Sequence, residues 1–251
     1  MPKISVAIIT HNEEDNILRC LDSVKSFADE IVVVDSFSAD RTVSICRDSG
    51  CRVVEKIFEG YGTQKQFATD QALNDWVLSV DADEVLSPEL QQELSDFSRK
   101  PEVPYNGYRI PFSLFYMGKI LKHSGVGRDS PLRLFRRQKG RFTTSTVHEG
   151  VEIEGPAGKL QNRIIHYSYR DISHHLGKIN TYTSLAAKGL AVKGKSYSGI
   201  YVAAKFPITF FTYYFIRGGI RDGYPGFFWS FMAAVYSSLK IAKTIELRKK
   251  Q

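Results

Sequence analysis

The first hundred residues alternate short apolar runs with amphipathic stretches, the pattern of a largely parallel α/β sheet flanked by helices. Lys3 to Thr10 is an apolar, β-branched run and reads as the first strand. Asn12 then offers a cap for a helix whose first turn holds Glu13, Glu14 and Asp15, with Ile17, Leu21, Val24 and Phe27 recurring at helical spacing. Glu30 to Ser36 is a second strand, Asp40 caps a short helix through Cys46 that Gly50 ends, and Arg52 to Lys56 is a third strand. A helix over Gln64 to Leu73 leads to a fourth strand, Trp76 to Val80, which runs straight into Asp81-Ala82-Asp83-Glu84. Ser87-Pro88 opens a helix with Leu90, Leu94 and Phe97 on one face.

Arg99 to Gly107 reads as a loop, followed by strand-like runs at Tyr108–Met117, Leu132–Arg137, Val147–Ile153 and Arg163–Ser168. Asp171 to Lys193 reads as helical, with Ile172, Leu176, Ile179 and Leu190 lining one side. The pattern therefore divides the chain into a domain over residues 1–195 and an extension over 196–251. Within the domain, 1–100 holds the alternating strands and helices and 101–195 the later strand-like runs and the long helix.

Three strand ends carry chemistry. They deliver Thr10-His11-Asn12-Glu13, Asp35-Ser36 and Asp81-Ala82-Asp83, and in an α/β sheet ligands bind beyond the carboxyl ends of the strands. Residues i and i+2 lie on one side of an extended chain, so Asp81 and Asp83 can face one hard divalent cation. A solvated acidic loop is the plain alternative, and the buried apolar strand before the pair argues against it. There is no G-x-G-x-x-G after the first strand and no G-x-x-x-x-G-K-[ST] anywhere, which argues against dinucleotide enzymes and P-loop NTPases.

Charge and composition change the picture in the last third. Gly155 to the C-terminus carries 15 Lys and Arg against 3 Asp and Glu, whereas the residues before it are net acidic. Between Tyr197 and Tyr236 lie 14 of the chain's 31 aromatic residues, among them two apolar runs, Phe206–Ile216 and Phe227–Val235, too short to span a bilayer. Rings flanked by cations suit an anionic membrane surface; a helical pair packed on the first domain, or a dimer surface, is the other reading. The short apolar run at the N-terminus reads as a strand and not a signal peptide. Three cysteines without a CxxC pair read as small buried hydrophobes in a reducing compartment. A basic sequence pI of about 9.2 raises nucleic-acid binding, but no such motif is present and no nucleic-acid partner is expected.

The stretches V-A-I-I-T-H-N-E-E, I-V-V-V-D-S-x-S-x-D-x-T at 31–42 and V-L-S-V-D-A-D-E at 77–84 resemble, in this order, the inverting family 2 glycosyltransferases of GT-A fold. R-L-F-R-R at 133–137, V-H-E-G-V at 147–151 and H-Y-S-Y-R-D-I at 166–172 are similar to the branch that includes lipopolysaccharide-core β-1,4-glucosyltransferases. The resemblance covers Lys3 to about Leu190. It implies a UDP-linked sugar donor, glucose by analogy with that branch, a divalent ion (Mg²⁺ or Mn²⁺), and a lipid-linked glycan acceptor such as lipopolysaccharide inner core. An enzyme of this kind works in the cytoplasm, peripheral on the cytoplasmic face of the inner membrane. Carried over position by position, Thr10, Asn12, Glu13 and Asp35 line the nucleotide pocket. Asp83 holds the metal, and Asp81 sits nearer the ribose or donor sugar while sharing the ion.

Lys65 contacts the donor or is a solvated helix charge, and Asp40 is better explained as a helix cap than by the motif. Inverting transfer needs a carboxylate base, for which Glu149 is the candidate and Asp129 the runner-up, with His148 a further metal ligand or alternative base. An ordinary strand edge is the bland reading of His148 and Glu149. His166, His174 and His175 read as structural or interfacial, and Arg128, Arg133, Arg136 and Arg137 as phosphate contacts or the outer face of a strand. A sugar-nucleotide nucleotidyltransferase, or a non-catalytic nucleic-acid- or membrane-binding protein, are the rival functions.

Overall fold

The computed structural model describes residues 1–127, 129–143 and 150–249, so the candidates His148 and Glu149, together with Arg128, lie outside the described residues. The chain forms two compact units: residues 1–113 with 128–167, and residues 114–127 with 168–251. The second unit thus takes in a helix and a hairpin segment that precede residue 196.

The first unit is built on a seven-stranded sheet. Its parallel half comprises β1 (Ile4–Thr10), β2 (Glu30–Asp35), β3 (Arg52–Glu55) and β4 (Trp76–Asp81), connected through α1 (Ile17–Asp22), α2 (Thr42–Asp48) and α3 (Tyr61–Gln71). After β5 (Glu84–Leu86) and α4 (Pro88–Ser98) come β6 (Gly107–Arg109), β7 (Phe112–Tyr116), β8 (Lys119–Leu121) and β9 (Leu132–Arg136). β10 (Gly140–Phe142), β11 (Val151–Ile153), β12 (Ala157–Lys159) and β13 (Ile164–His166) follow. The spatial order is β12-β6-β9-β4-β1-β2-β3, with β9 antiparallel to both β4 and β6. β5 pairs antiparallel with β13 beside the sheet, joining His166 to Glu84 in register.

Strand alternation sends β1 to two cores. Ile4, Val6 and Ile8 pack with Ile17, Leu21, Leu90, Leu94 and Phe97 on one face, while Ala7 and Ile9 pack with Ala68, Ala72 and Phe135 on the other. Burying Leu90, Leu94 and Phe97 contributes about 1.5–3 kcal/mol each, and Trp76 meets Phe97 edge-on with centroids 4.9 Å apart. All three cysteines are buried free thiols.

Several boundaries depart from the sequence pattern for local reasons. α1 stops at Asp22 because the Ser23 hydroxyl donates to the Cys20 carbonyl and accepts the Leu86 N–H, diverting groups a further turn would use. Val24 and Phe27 remain in the core from the turns that follow. Asn12 does not cap α1: it takes φ +53°, and its side-chain oxygen accepts the Ala39 N–H instead. α3 begins at Tyr61, three residues earlier than the pattern indicated. The strand expected over Tyr108–Met117 breaks into β6 and β7 at Ile110-Pro111, where proline brings no N–H to a ladder.

In the second unit, β7 and β8 form a hairpin that pairs Leu114 with Leu121, and three helices follow: α5 (Ile172–Val192), α6 (Gly199–Phe211) and α7 (Tyr224–Lys249). α7 packs against both α5 and α6. The buried face of α5 is His175, Ile179, Thr183 and Ala187, whereas Ile172 and Leu176 are exposed. Of the expected face, Ile179 is buried and Leu190 half-buried, while Ile172 and Leu176 turn out because an aromatic nest of Tyr116, Tyr169 and Trp229 receives the His175 ring. The Tyr116 hydroxyl lies 2.9 Å from His175 Nδ1. Among the described residues no helix is long and apolar enough to cross a membrane.

Candidate active site

The strand register levels the polar ends: Thr10 stands opposite Asp35, and Ile9 opposite Asp81. The loops beyond β1 and β2 are tied together. The Asn12 N–H donates to Ser38 Oγ at 2.8 Å, and the Ser38 hydroxyl and N–H donate to the buried Asp35 carboxylate at 2.5 and 2.7 Å. The Glu13 N–H donates to Thr42 Oγ1, and Asp40 accepts the Thr42 N–H and hydroxyl at the start of α2. Two buried polar atoms in this region, Thr10 Oγ1 and Gln64 Oε1, find no hydrogen-bond partner among the described residues. Such orphaned acceptors and donors are what a site leaves for a ligand or water.

At the end of β4 the two aspartates have different surroundings. Lys65 Nζ, carried in by α3, lies 2.9 and 3.0 Å from the two oxygens of Asp81. Arg133, from the neighbouring β9, lies 3.4 Å from Asp81 and donates to Glu84 Oε1 at 2.8 Å. Glu84 in turn accepts the Asp81 N–H through Oε2 at 2.8 Å. Burial pushes the Asp81 carboxyl up, but the charges of Lys65 and Arg133 outweigh it and hold the group well below the usual carboxylate range. Glu84 goes the other way: burial, reinforced by the nearby Asp81 charge, raises it to about 7 against the pull of Arg133. The two cations thus serve Asp81 first.

Asp83 faces His166, whose Nε2 lies 3.0 Å from Oδ2, while the Asp83 carbonyl accepts the Tyr167 N–H at 2.8 Å. Burial lowers the imidazole pKa, but the Asp83 hydrogen bond and charge more than compensate, leaving it above its ordinary value. The structure therefore brings His166 to the acidic pair, which the sequence pattern assigned to a structural role. Its place in H-Y-S-Y-R-D-I, on a strand leading back to β5, was the available signal. Lys65 is buried, which overturns its reading as a solvated helix charge. Arg133 is buried too, so it is not the outer face of a strand. The other candidate base, Asp129, is exposed; its carbonyl accepts the Phe112 N–H.

Asp83 and His166 present a carboxylate oxygen and an imidazole nitrogen side by side, a donor pair that suits Mn²⁺ or Mg²⁺ when phosphate oxygens complete the shell. Among the described residues no group of three or more His, Cys, Asp or Glu side chains converges on a metal position.

A family model for "Glycosyl transferase family 2" matches residues 5–151, well over half of the chain. The chain belongs to glycosyl transferase family 2. An uncharacterized glycosyltransferase of Rickettsia typhi is 36% identical over 98% of this chain and 88% of its own length. The lipopolysaccharide core biosynthesis glycosyltransferase LpsC of Rhizobium meliloti is 33% identical over 97% of this chain and 93% of its own. Among solved structures, a mannosyltransferase of Pyrobaculum calidifontis, in complex with GDP-Man and Mn²⁺, superposes with a TM-score of 0.58 at 16% identity, covering 100% of this chain and 88% of that one. That likeness is one of fold, and it agrees with the GT-A architecture of the first unit. The protein is a glycosyltransferase, and the nucleotidyltransferase and non-catalytic readings fall with that.

Proposed function

We infer that this glycosyltransferase moves a sugar, glucose in the first instance, from a UDP-linked donor to a hydroxyl of a lipid-linked glycan, with inversion at the anomeric carbon. The observation that carries the reading is the level set of strand ends, Thr10, Asp35 and Asp81, at the carboxyl edge of the parallel half of the sheet, with Asp83 in the turn after β4 and His166 on it. Similarity to LpsC supports a lipopolysaccharide-core acceptor. Such an acceptor puts the enzyme peripherally on the cytoplasmic face of the inner membrane.

Thr10, Asn12, Glu13 and Asp35 receive the nucleotide. Asp83 and His166 hold the divalent ion, which supplies charge neutralisation for the departing diphosphate. Asp81, already neutralised by Lys65 and Arg133, positions the ribose or donor sugar and contributes less to the ion than the bare Asp-x-Asp pattern suggests. The acceptor hydroxyl gives its proton to the Glu149 carboxylate as it attacks, because the carbon it attacks gathers positive charge while the nucleotide leaves. His148 beside it is a further candidate for the ion.

Thermal-shift titration with UDP-, GDP- and TDP-sugars, each with Mn²⁺ and with EDTA, tests the donor. A shift specific to UDP-glucose and dependent on the ion is expected. Equal responses to all nucleotides, or none to UDP-sugars, would remove the donor assignment.

A further inference from the structure

The link between α6 and α7 is a tight corner of the second unit. α6 runs into a π-helical turn at Thr212–Ile216, and a 3₁₀ turn at Gly219–Asp222 precedes α7. Gly218 and Gly223 flank that 3₁₀ turn at φ +75° and +69°, a region L side chains rarely adopt. A Cβ on Gly226 would lie 2.0 Å from the Gly219 carbonyl oxygen, so the first turn of α7 is pressed onto the link. The buried Asp222 carboxylate accepts the Lys122 and His123 N–H groups, and the Arg217 carbonyl accepts the Ser124 N–H. These bonds hold the corner in place within its unit.

This pinned corner turns apolar side chains outward. Ile216 is 71% exposed, Tyr224 62%, Phe211 55% and Ile220 51%, with Phe215 also exposed. Ring contacts make part of the set continuous: Phe211 to Phe215 at 5.0 Å, Phe215 to Tyr214 at 4.9 Å, and Tyr214 to Phe227 at 5.6 Å. Connected apolar surface of this kind marks an interaction site, unlike single exposed side chains. Two cations sit within it. Arg221 is exposed, and Arg217 has its guanidinium 4.3 Å from the Tyr213 ring. Between Ile172 and Ile245 the sole acid is Asp222, which is buried and occupied by the bonds above.

We propose that the α6–α7 corner is a monotopic docking surface for an anionic bilayer, with Phe211, Phe215, Ile216, Ile220 and Tyr224 entering the headgroup–acyl boundary and Arg217 and Arg221 meeting lipid phosphates. Aromatic and aliphatic tips with interleaved arginines match the chemistry of that interface. A bilayer fits better than a second copy of the chain. Two such corners face to face would oppose arginine to arginine, and the surrounding sequence offers no free acid to answer them. The surface deepens the membrane location inferred above and leans on that reading only for its purpose, which is to bring the enzyme to a lipid-linked acceptor.

Flotation of the full chain with vesicles lacking any sugar acceptor, and without donor, separates this surface from the transfer reaction. With 30% phosphatidylglycerol in phosphatidylethanolamine at low salt the protein floats, and with pure phosphatidylcholine it floats at least tenfold less. Ile216→Ser with Ile220→Ser lowers partition to the anionic vesicles at least tenfold while the thermal melt stays near that of the parent. Arg221→Gln lowers it about fivefold, as about 1 kcal/mol per interfacial cation requires, and flattens the salt dependence. Failure of the parent protein to float, or equal flotation of the serine pair, overturns the proposal. So does a concentration-dependent dimer that the serine pair dissociates without any vesicle binding, which would make the corner a contact between copies. UDP-sugar binding that persists through any of these failures leaves the donor reading standing.

Discussion

At the scale of single residues, the two members of the Asp-x-Asp pair have different neighbours: Lys65 and Arg133 beside Asp81, His166 beside Asp83. Asp83→Ala is expected to abolish transfer and to weaken UDP binding mainly when Mg²⁺ or Mn²⁺ is present, read by calorimetry with and without EDTA; near-native, metal-dependent turnover would remove Asp83 from the metal. Asp81 already has two cations beside it, so its removal leaves Lys65 and Arg133 buried with one partner fewer. Lys65→Met should therefore cost stability as well as activity, about 1–3 kcal/mol in urea denaturation, because it leaves the half-buried Asp81 carboxylate with Arg133 alone. A loss of turnover with unchanged stability would point to a direct contact with the donor instead. Glu149→Gln should bind UDP-sugar normally and turn over about 10² to 10⁴ times more slowly. An equal loss in Asp129→Asn alone would move the base.

At the scale of elements, α5 supplies a pH test within the second unit. His175 is buried among Tyr116, Tyr169 and Trp229, and burial, helped by the charges of Lys178 and His174, lowers its pKa to about 4. In the unfolded chain the same imidazole takes up its proton near pH 6.5. The unfolded state thus binds more protons between those values, and stability present above pH 6.5 is lost as the pH falls toward 4. Thermal melts from pH 7.5 to 4.5 should show this decline, and His175→Phe should flatten it. An unchanged pH slope in the variant would assign the acid sensitivity elsewhere. This face of α5 was hidden from the periodicity: a histidine, a threonine and an alanine carry three of its four buried positions, and two of the apolar residues on the expected stripe face solvent. The buried face of α3 is similarly polar, with Gln64, Lys65 and Thr69, so spacing alone could not reveal that Lys65 turns inward.

At the scale of the whole molecule, the acidic first part and the basic last part predict a separation of salt effects. Raising NaCl from about 50 to 500 mM shortens the screening length from about 14 Å to about 4 Å. Transfer to an acceptor carried in anionic vesicles should fall several-fold over that range. Donor hydrolysis, which needs no membrane, should change little. Parallel losses in both assays would place the salt-sensitive charges at the nucleotide.

Sequence alone determined what depends on short-range pattern. β1, β2, β3 and β4, the acidic ends they deliver and the capped start of α4 follow from runs of apolar residues and from caps a few positions away. The family follows as well, since its motifs are contiguous. What the sequence left undecided are partnerships between residues far apart in the chain. Sixteen residues separate Lys65 from Asp81, and 83 separate His166 from Asp83. Buried and half-buried charges of this kind carry no periodic signature; they are tolerated where the fold brings an opposite charge into contact. Among the three-residue strands, β5, β8, β10 and β12, which no expected run covers, belong to the same class. Each is too short to show alternation and owes its form to a pairing partner, so only the tertiary structure decides it.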